Sequence, residues 1–595
     1  MTRWKAAVLL ALLFCGEAAL PASAVRIPAG RQPAGLASGA AVAAHPAARR
    51  LAAVTSPGRS RPAATGGKIP LDVRNKYNPA KNPTGPGVAA GRPTPALAPA
   101  VANFSSTHYK QALRYALWFY DAQRSGALPR PYRVAWRNSS HPSDAVVGGY
   151  YDAGDFIKHS LTTAQASTFL AWAALDFMTG FNASGQLPYA QATVRNMASY
   201  LAACHISTDQ YVGLIGDPDV DHNYWGRPEQ QEAWLRSRNS LPRKTYIWTR
   251  AMAASDLMGM SSAAMASASM LLKATNPAFS AALLTKAQTL YAWGKSKLGL
   301  YSDSYPGYNK DVYGSSSYRD KLFLAAAWLY RATGQDVYQQ EAYGWFSQLG
   351  GRWGASVYVS WDDVTAPAVM TLLTAARQRN TTAKVKGFSE YQAFMADTFV
   401  KTWARADGSW SIRATPGGMR YMTWSGGWGN LRYANNAALV ALAWAAQQPA
   451  GTARTEAIDF GRLQVDYALG RMGRSYVSGF GTNPPLRAHH AAASCPNMPA
   501  ACDWPNFDSP NPNPQVLYGA LVGGPGNTSD YSANSRTTDA MYKDSRQDYY
   551  GNEVSLDYNA GFTGALGALL ALLAPTPPPP VRRVAQPATQ PLQGR

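Results

Sequence analysis

Apolar residues recur with a helical period in twelve stretches. They begin near Tyr109, Leu161, Ala190, Asp256, Phe279, Tyr318, Val337, Ala366, Ser389, Tyr433, Thr455 and Ala560. Long strand-like alternation is scarce. Short connections alternate with long ones loaded with Trp, Tyr, Gly and Asp. Long ordered loops on a regular scaffold usually carry function. The pattern predicts one all-α domain over residues 101–574, twelve helices closed into an (α/α)6 toroid (a six-hairpin barrel) with long functional loops and a groove at one end.

The two ends of the chain read differently. Residues 1–24 have a basic start at Arg3 and Lys5, a short apolar core and the small-residue sequence Ala22-Ser23-Ala24, as a secretory signal peptide does. An uncleaved anchor is the alternative, but the apolar run is short for a membrane span. Residues 25–100 are rich in Ala, Pro, Gly and Arg and poor in large apolar side chains, so they are expected to be a disordered linker. Residues 575–595, with four consecutive Pro at 577–580, are expected to be an extended tail.

Charge follows the same division. The formal net charge is +21, but the linker alone carries eleven Lys or Arg against one Asp. The basic residues are therefore not gathered on a folded face, as nucleic-acid binding requires. Cys495 and Cys502 lie in a Pro/Asn-rich loop and can pair in an oxidising compartment, while Cys204 sits in an apolar helical context. Neither C-x-x-C nor H-E-x-x-H occurs, and no cofactor is expected.

Three loops carry candidate chemistry. Asp539 to Leu573 packs acids, an Arg and several Tyr ahead of a helix-forming Ala/Leu run. Crowded carboxylates raise one another's pKa, which keeps a general acid protonated near neutrality; a solvated acidic loop has the same spacing. In Tyr150-Tyr151-Asp152-Ala153-Gly154-Asp155 the small residues let the backbone turn and expose both carboxylates, although Asp is also a common helix cap. Asp217 to Glu229 gathers acids, His222, Tyr224 and Trp225. Oxygen ligands at alternate positions would suit calcium, but a helix-loop-helix setting is missing.

On these residues the chain resembles family 9 glycoside hydrolases, the cellulase family once called family E. Tyr542-x-Asp544, Tyr549, Glu553-x-Ser555 and Asn559-Ala560 match its C-terminal signature, and Tyr-Asp-Ala-Gly-Asp-Phe at 151–156 its base motif. The resemblance implies that Glu553 is the general acid and that Asp544 helps keep it protonated. It implies that Asp155 is the general base, with Asp152 holding the attacking water, both ionised, and that His489 bonds sugar hydroxyls. Tyr224, Trp225, Trp361, Tyr421, Trp424 and Tyr549 are the implied substrate contacts, with Trp428 in the same wall. Lys158 either assists the base or faces solvent.

Two positions depart from the family pattern. Lys321 stands where a Glu is usual, which bears on local packing. Ala491 stands where an Arg is expected to bind substrate, with Arg487 a candidate replacement. The implied function is a secreted, extracellular, monomeric, inverting endo-β-1,4-glucanase acting on cellulose or related β-glucan, with no nucleic-acid or membrane partner. A carbohydrate-binding protein with weakened catalysis, or a hydrolase of xyloglucan, mixed-linkage glucan or chitosan, are the alternatives.

Overall fold

A computed structural model describes residues 104–310, 312–425, 427–526 and 537–574. The expected leader, linker and Pro-rich tail lie outside these residues. Every one of the twelve periodic stretches is helical. They are α1 (Ser106–Ala122), α2 (Ser160–Asp176), α3 (Leu187–Cys204), α4 (Ser255–Leu272), α5 (Pro277–Ser296), α6 (Arg319–Thr333) and α7 (Asp336–Gln348). Next come α8 (Thr365–Gln378), α9, α10 (Asn430–Ala446), α11 (Thr452–Leu469) and α12 (Leu556–Leu572). α9 runs through three pieces, Phe388–Ala393, Phe394–Val400 and Lys401–Arg405, the middle one π-helical.

The even-numbered helices form an inner ring, α2 against α4, α6, α8, α10, α12 and back to α2. Burial explains the division. Every residue from Ser160 to Ala174, from Asn430 to Ala445 and from Leu556 to Leu570 is buried. These helices are apolar or small on all sides, so they can only sit inside other helices. Gly561 shows how close they pack, since a Cβ there would lie 2.1 Å from Oδ1 of Asn436. Among the odd-numbered helices α5, α7 and α11 bury one stripe, α11 through Ala457, Phe460, Gly461, Gln464 and Val465, while α1 and α3 are buried all round in their C-terminal halves. Five hairpins are sequential; the sixth pairs α12 with α1, the two ends of the domain.

The first five inner helices are each joined to the following outer helix by the shorter connections, two residues between α6 and α7. The return connections are long. All six therefore emerge at the N-terminal ends of the inner helices, on one end of the ring. A small antiparallel sheet joins two of them: β3 (Gln210–Ile215) pairs with β1 (Lys158–His159), from the preceding long connection, and β2 (His205–Ser207) on one edge and with β4 (Thr245–Thr249) on the other. β5 (Ile412–Ala414) and β6 (Arg420–Met422) form a hairpin in another. Among the described residues, no helix is long and apolar enough to cross a membrane.

Lys321, at the start of α6, is fully buried and pairs with Asp320 at 3.0 Å and Asp362 at 3.4 Å. A cation fits here because Asp256 and Asp363 also face it. Burial lifts Asp320 to about 7 and Asp256 to about 6 despite the ammonium.

Candidate active site

The six long loops converge, and the first and the last of them, the last folded back on itself, are stitched edge to edge by backbone hydrogen bonds. Leu556 N donates to Asp152 O at 2.9 Å, Ala491 N to Gly154 O at 2.8 Å and His489 N to Asn552 O at 2.9 Å. On its other side Glu553 is held by Gly523 N, which donates to its carbonyl at 3.1 Å. Residues about 400 apart in sequence thus share one small mat of main chain. Gly154 is required by this approach. A Cβ would stand 2.2 Å from the His489 carbonyl oxygen, so the Gly of the Asp-Ala-Gly-Asp motif serves loop contact as well as turning.

Glu553 sits half-buried at the edge of this mat. Trp428 Nε1 donates to its Oε2 at 2.8 Å and Tyr558 OH to the same oxygen at 3.1 Å. An indole N–H can only donate, so Oε2 is an acceptor and the acidic proton belongs on Oε1. Burial lifts the carboxyl to about 7, against the opposing pull of Trp428, Arg432 and Tyr558. That is the range of a general acid working near neutrality.

The origin of this shift corrects one expectation. Asp544 does not crowd Glu553. Its carboxylate accepts from Leu486 N and from Arg487 N at 2.9 Å and pairs with the Arg487 guanidinium at 3.2 Å, fixing the turn before His489. Asp548 caps the short helix Tyr549–Asn552. Asp557 adds to the upward shift, by less than burial does. The helix end at Ser555, whose dipole favours an ionised acid, is overridden by desolvation.

Across the mat, Asp152 and Asp155 occupy different surroundings. Asp152 is buried, and the hydroxyls of Thr162 and Tyr313 hydrogen-bond its two oxygens. Burial, then the charge of Asp557, hold it well above the usual carboxylate range. This runs against the expectation that both members of the pair are ionised. Asp155 is half-buried; Ile157 N donates to Oδ1 at 3.2 Å and His222 Nε2 lies 3.0 Å from Oδ2. Burial works against a charge on His222, but Asp155, Asp221 and Glu553 outweigh it and the imidazole pKa is raised. Lys158 neither assists nor faces solvent: it is buried, paired with Asp144 at 2.7 Å, and donates to the carbonyls of Val146 and Gly148.

His489 is buried, with Nδ1 at 2.6 Å from the carbonyl of Arg546. A carbonyl only accepts, so Nδ1 carries the proton and Nε2 is the acceptor. Burial lowers the ring to about 4 and keeps it neutral. The neighbouring His490 turns the other way and contacts Gln123 Oε1 at 2.8 Å.

The expected aromatic contacts divide. Trp361 and Tyr549 are half-buried and Trp424 is 49 % exposed, so each can offer a ring to a sugar. Tyr549 stands between Trp428, 5.3 Å away, and His489, 6.1 Å away. Tyr224, Trp225 and Tyr421 are corrections. Tyr224 is packed on Phe156 and Trp234, its hydroxyl bonded to Arg227 O. Trp225 lies beneath Phe507 and Trp504 with Nε1 on Ser494, and Tyr421 is buried on β6.

Ala491 is also a correction: it is 1 % exposed, inside an apolar cluster with Tyr151, Phe156, Tyr224 and Trp225, and does not line the groove. Arg487 does not stand in for the family Arg, being held by Asp544 and Pro510 O.

In the 217–229 loop, Asp217 is taken by Asp219 N and Lys244, and Asp221 by Arg243 and Gln231. These partners use the oxygens a calcium ion would need. Cys495 and Cys502 form a disulfide, and Cys204 is a buried thiol.

Sequence reasoning missed the groups that tune the carboxylates: Trp428 and Tyr558 on Glu553, Tyr313 and Thr162 on Asp152, and His222 on Asp155. His222, two residues from the platform candidates, and Trp428, in the groove wall, stood in motifs that pointed to the site without tying either to a carboxylate. Each of the others is brought in by a different loop or helix.

The profile of "Glycosyl hydrolase family 9" matches residues 109–566. Endoglucanase B of Cellulomonas fimi is 33% identical over 490 residues, covering 80% of this chain and 43% of that protein, so the chain spans under half of that relative's length. The structure of the endoglucanase from the termite Nasutitermes takasagoensis aligns with a TM-score of 0.68 and 38% identity over 78% of this chain and 99% of its own. Endoglucanase CelQ from Clostridium thermocellum, solved with cellobiose and cellotriose, aligns with a TM-score of 0.63 and 30% identity over 82% of this chain and 74% of its own. A ring of six inner helices, an acid held near neutrality and a second carboxylate pair on a neighbouring loop agree with that match: this chain is a glycoside hydrolase of family 9.

Proposed function

We propose that the enzyme is an inverting endo-β-1,4-glucanase acting on cellulose or a related β-glucan. The observation that carries this is the inequality of the two carboxyls. Both are half-buried, but Glu553 is bonded to Trp428 and Tyr558 and lifted by burial to about 7, whereas Asp155 lies 3.0 Å from His222 Nε2. Glu553 donates the Oε1 proton to the glycosidic oxygen as the C1–O bond breaks. Water adds to C1 from the opposite face, and Asp155 takes its proton. Two carboxyls with room for a water between them give inversion. Glu553 is left ionised and Asp155 protonated, and exchange with solvent resets both.

Asp152 serves best as a neutral or hydrogen-shared partner that orients the 152–155 loop through Tyr313 and Thr162. His489 Nε2 accepts from a sugar hydroxyl. Trp361, Trp424 and Tyr549 supply flat faces for pyranose rings. CelQ, a structural relative, was solved with cellobiose and cellotriose, which supports a β-1,4-glucan groove here. We also propose that the chain is secreted from a leader cleaved near Val25 and acts as an extracellular monomer.

The test is release of reducing ends from carboxymethylcellulose, mixed-linkage glucan, xyloglucan and chitosan, with the first product anomer read by NMR. Release from the β-glucans with an α-anomer is expected. A β-anomer, or cleavage of chitosan alone, would overturn the assignment.

A further inference from the structure

Arg546 lies within the C-terminal acidic segment, where the mechanism does not use it. Its side chain is 2 % exposed. Nη1 donates to the carbonyls of Asn506 at 2.8 Å, Phe507 at 3.1 Å and Ser509 at 2.9 Å. Nη2 donates to Asn511 O at 3.0 Å and Nε to Asn513 Oδ1 at 2.7 Å. All five acceptors are uncharged. A buried guanidinium is costly unless its hydration is replaced, and here five converging dipoles replace it. Only a planar fork reaches them together; an ammonium is a single point.

The segment so gathered carries Trp504 and Phe507. Phe507 lies 4.8 Å from the Trp225 ring and 6.1 Å from His489, and Trp504 lies 5.9 Å from Trp225. Its upstream end is stapled by the Cys495–Cys502 disulfide. Its downstream end is tied by Asn513, whose N donates to Leu486 O at 2.8 Å and whose Nδ2 donates to Ala488 O at 3.0 Å. Arg546 holds the middle. Its own carbonyl is the group that fixes His489 Nδ1.

We infer that Arg546 is a positioning residue for hydrolysis: its guanidinium gathers segment 506–513 against Trp225 and His489, while its carbonyl sets the His489 tautomer. The inference rests on the glucanase reading and assigns the residue that holds the support behind His489 in that cleft. An arginine with a packing role alone would change stability and nothing else.

The experiment uses full-length Arg546→Lys and Arg546→Ala. Each is assayed on cellopentaose below its melting temperature, with the His489 ring followed by 15N NMR. The expected result for Arg546→Lys is a KM raised at least about tenfold with a smaller change in kcat, and a His489 ring that protonates at higher pH than in the parent. Guanidinium ion at millimolar concentration should partly restore Arg546→Ala. Should Arg546→Ala fail to fold, Arg546→Lys decides alone. Both changes are required; KM within twofold of the parent, or an unshifted His489 titration, overturns the inference. Should the parent cleave no β-glucan, the functional reading fails on its own, and the His489 titration still decides for Arg546.

Discussion

The indole of Trp428 donates to Oε2 of Glu553 at 2.8 Å, from a loop 125 residues earlier in the chain. This bond favours the ionised acid and so opposes the burial that lifts the group to about 7. Trp428→Phe keeps the ring against Tyr549 and Tyr550 but removes the donor. A hydrogen bond to a charged group contributes about 1.5–3 kcal/mol, or about 1–2 pKa units. The alkaline limb of kcat/KM, expected in the parent near 7 as Glu553 loses its proton, should move up by about one unit. A pH–rate profile checks this, and an unmoved limb would separate Trp428 from the acid.

Removing the acid and removing the base should differ. Glu553→Gln should lose about 10²–10⁴ in kcat on cellulose, the usual worth of general acid–base catalysis, and much less on a glycosyl fluoride, which needs no protonation. Asp155→Asn should lose activity on both substrates and recover part of it with azide. Equal losses for both variants on both substrates would defeat the division of roles.

Gly154→Ala tests the mat of loops. The added methyl would stand 2.2 Å from the His489 carbonyl oxygen, so the 152–155 and 489–491 loops must part. Expected is a loss of about 100-fold or more in kcat with the far-ultraviolet spectrum unchanged, since a small misplacement of reacting groups is costly. Full activity in a stable variant would show that the loops tolerate separation.

The family pattern expects an Arg at position 491 that binds substrate, so that restoring it would alter binding. Burial of Ala491 among Tyr151, Phe156, Tyr224 and Trp225 reverses this. Ala491→Arg should lower stability by about 2–4 kcal/mol through overpacking and an uncompensated cation. Urea unfolding measures it directly; a shift in KM with an unchanged midpoint would restore the earlier view.

Lys321→Met leaves Asp256, Asp320, Asp362 and Asp363 without their shared cation. Removing one partner of a buried charged network costs about 3–5 kcal/mol. Asp320 and Asp256 already sit above their unfolded values, at about 7 and about 6. Carboxyls raised in this way contribute stability at low pH that is lost as pH climbs through the folded values. The variant should therefore be nearest the parent below about pH 4 and fall furthest behind above about pH 7, where Asp256 and Asp320 are ionised in the parent and would face no cation in the variant. A deficit independent of pH would assign Lys321 to packing alone.

The helical period told nearly all of the fold, because α2, α10 and α12 are buried on every side and α11 on one stripe, and both patterns survive in a linear string. Asp155, Glu553 and His489 could be singled out in the sequence for a different reason: each lies in a compact local motif. What was not legible depended on who approaches from elsewhere. Tyr224 and Trp225 sit in an aromatic-rich loop like Trp361, yet they are covered by Trp234, Phe507 and Trp504, which no local spacing announces. Asp544 lies nine residues from Glu553 and looks like its neighbour, but its oxygens face Leu486 and Arg487. The source of the Glu553 shift was misread in the same way, as charge crowding where desolvation dominates.

The pairing of α12 with α1, and of Leu556 N with Asp152 O, also sets when the enzyme comes into being. A chain emerging from the ribosome makes the first five hairpins from sequential neighbours, each a local event. The sixth must wait for residues beyond 556, and with it the catalytic centre. Contacts of such long sequence separation form late, because loop-closure entropy must be met before they reward it. Closure of this centre is therefore expected to follow assembly of the first five hairpins, and a chain cut short before Glu553 would lack one of its carboxyls.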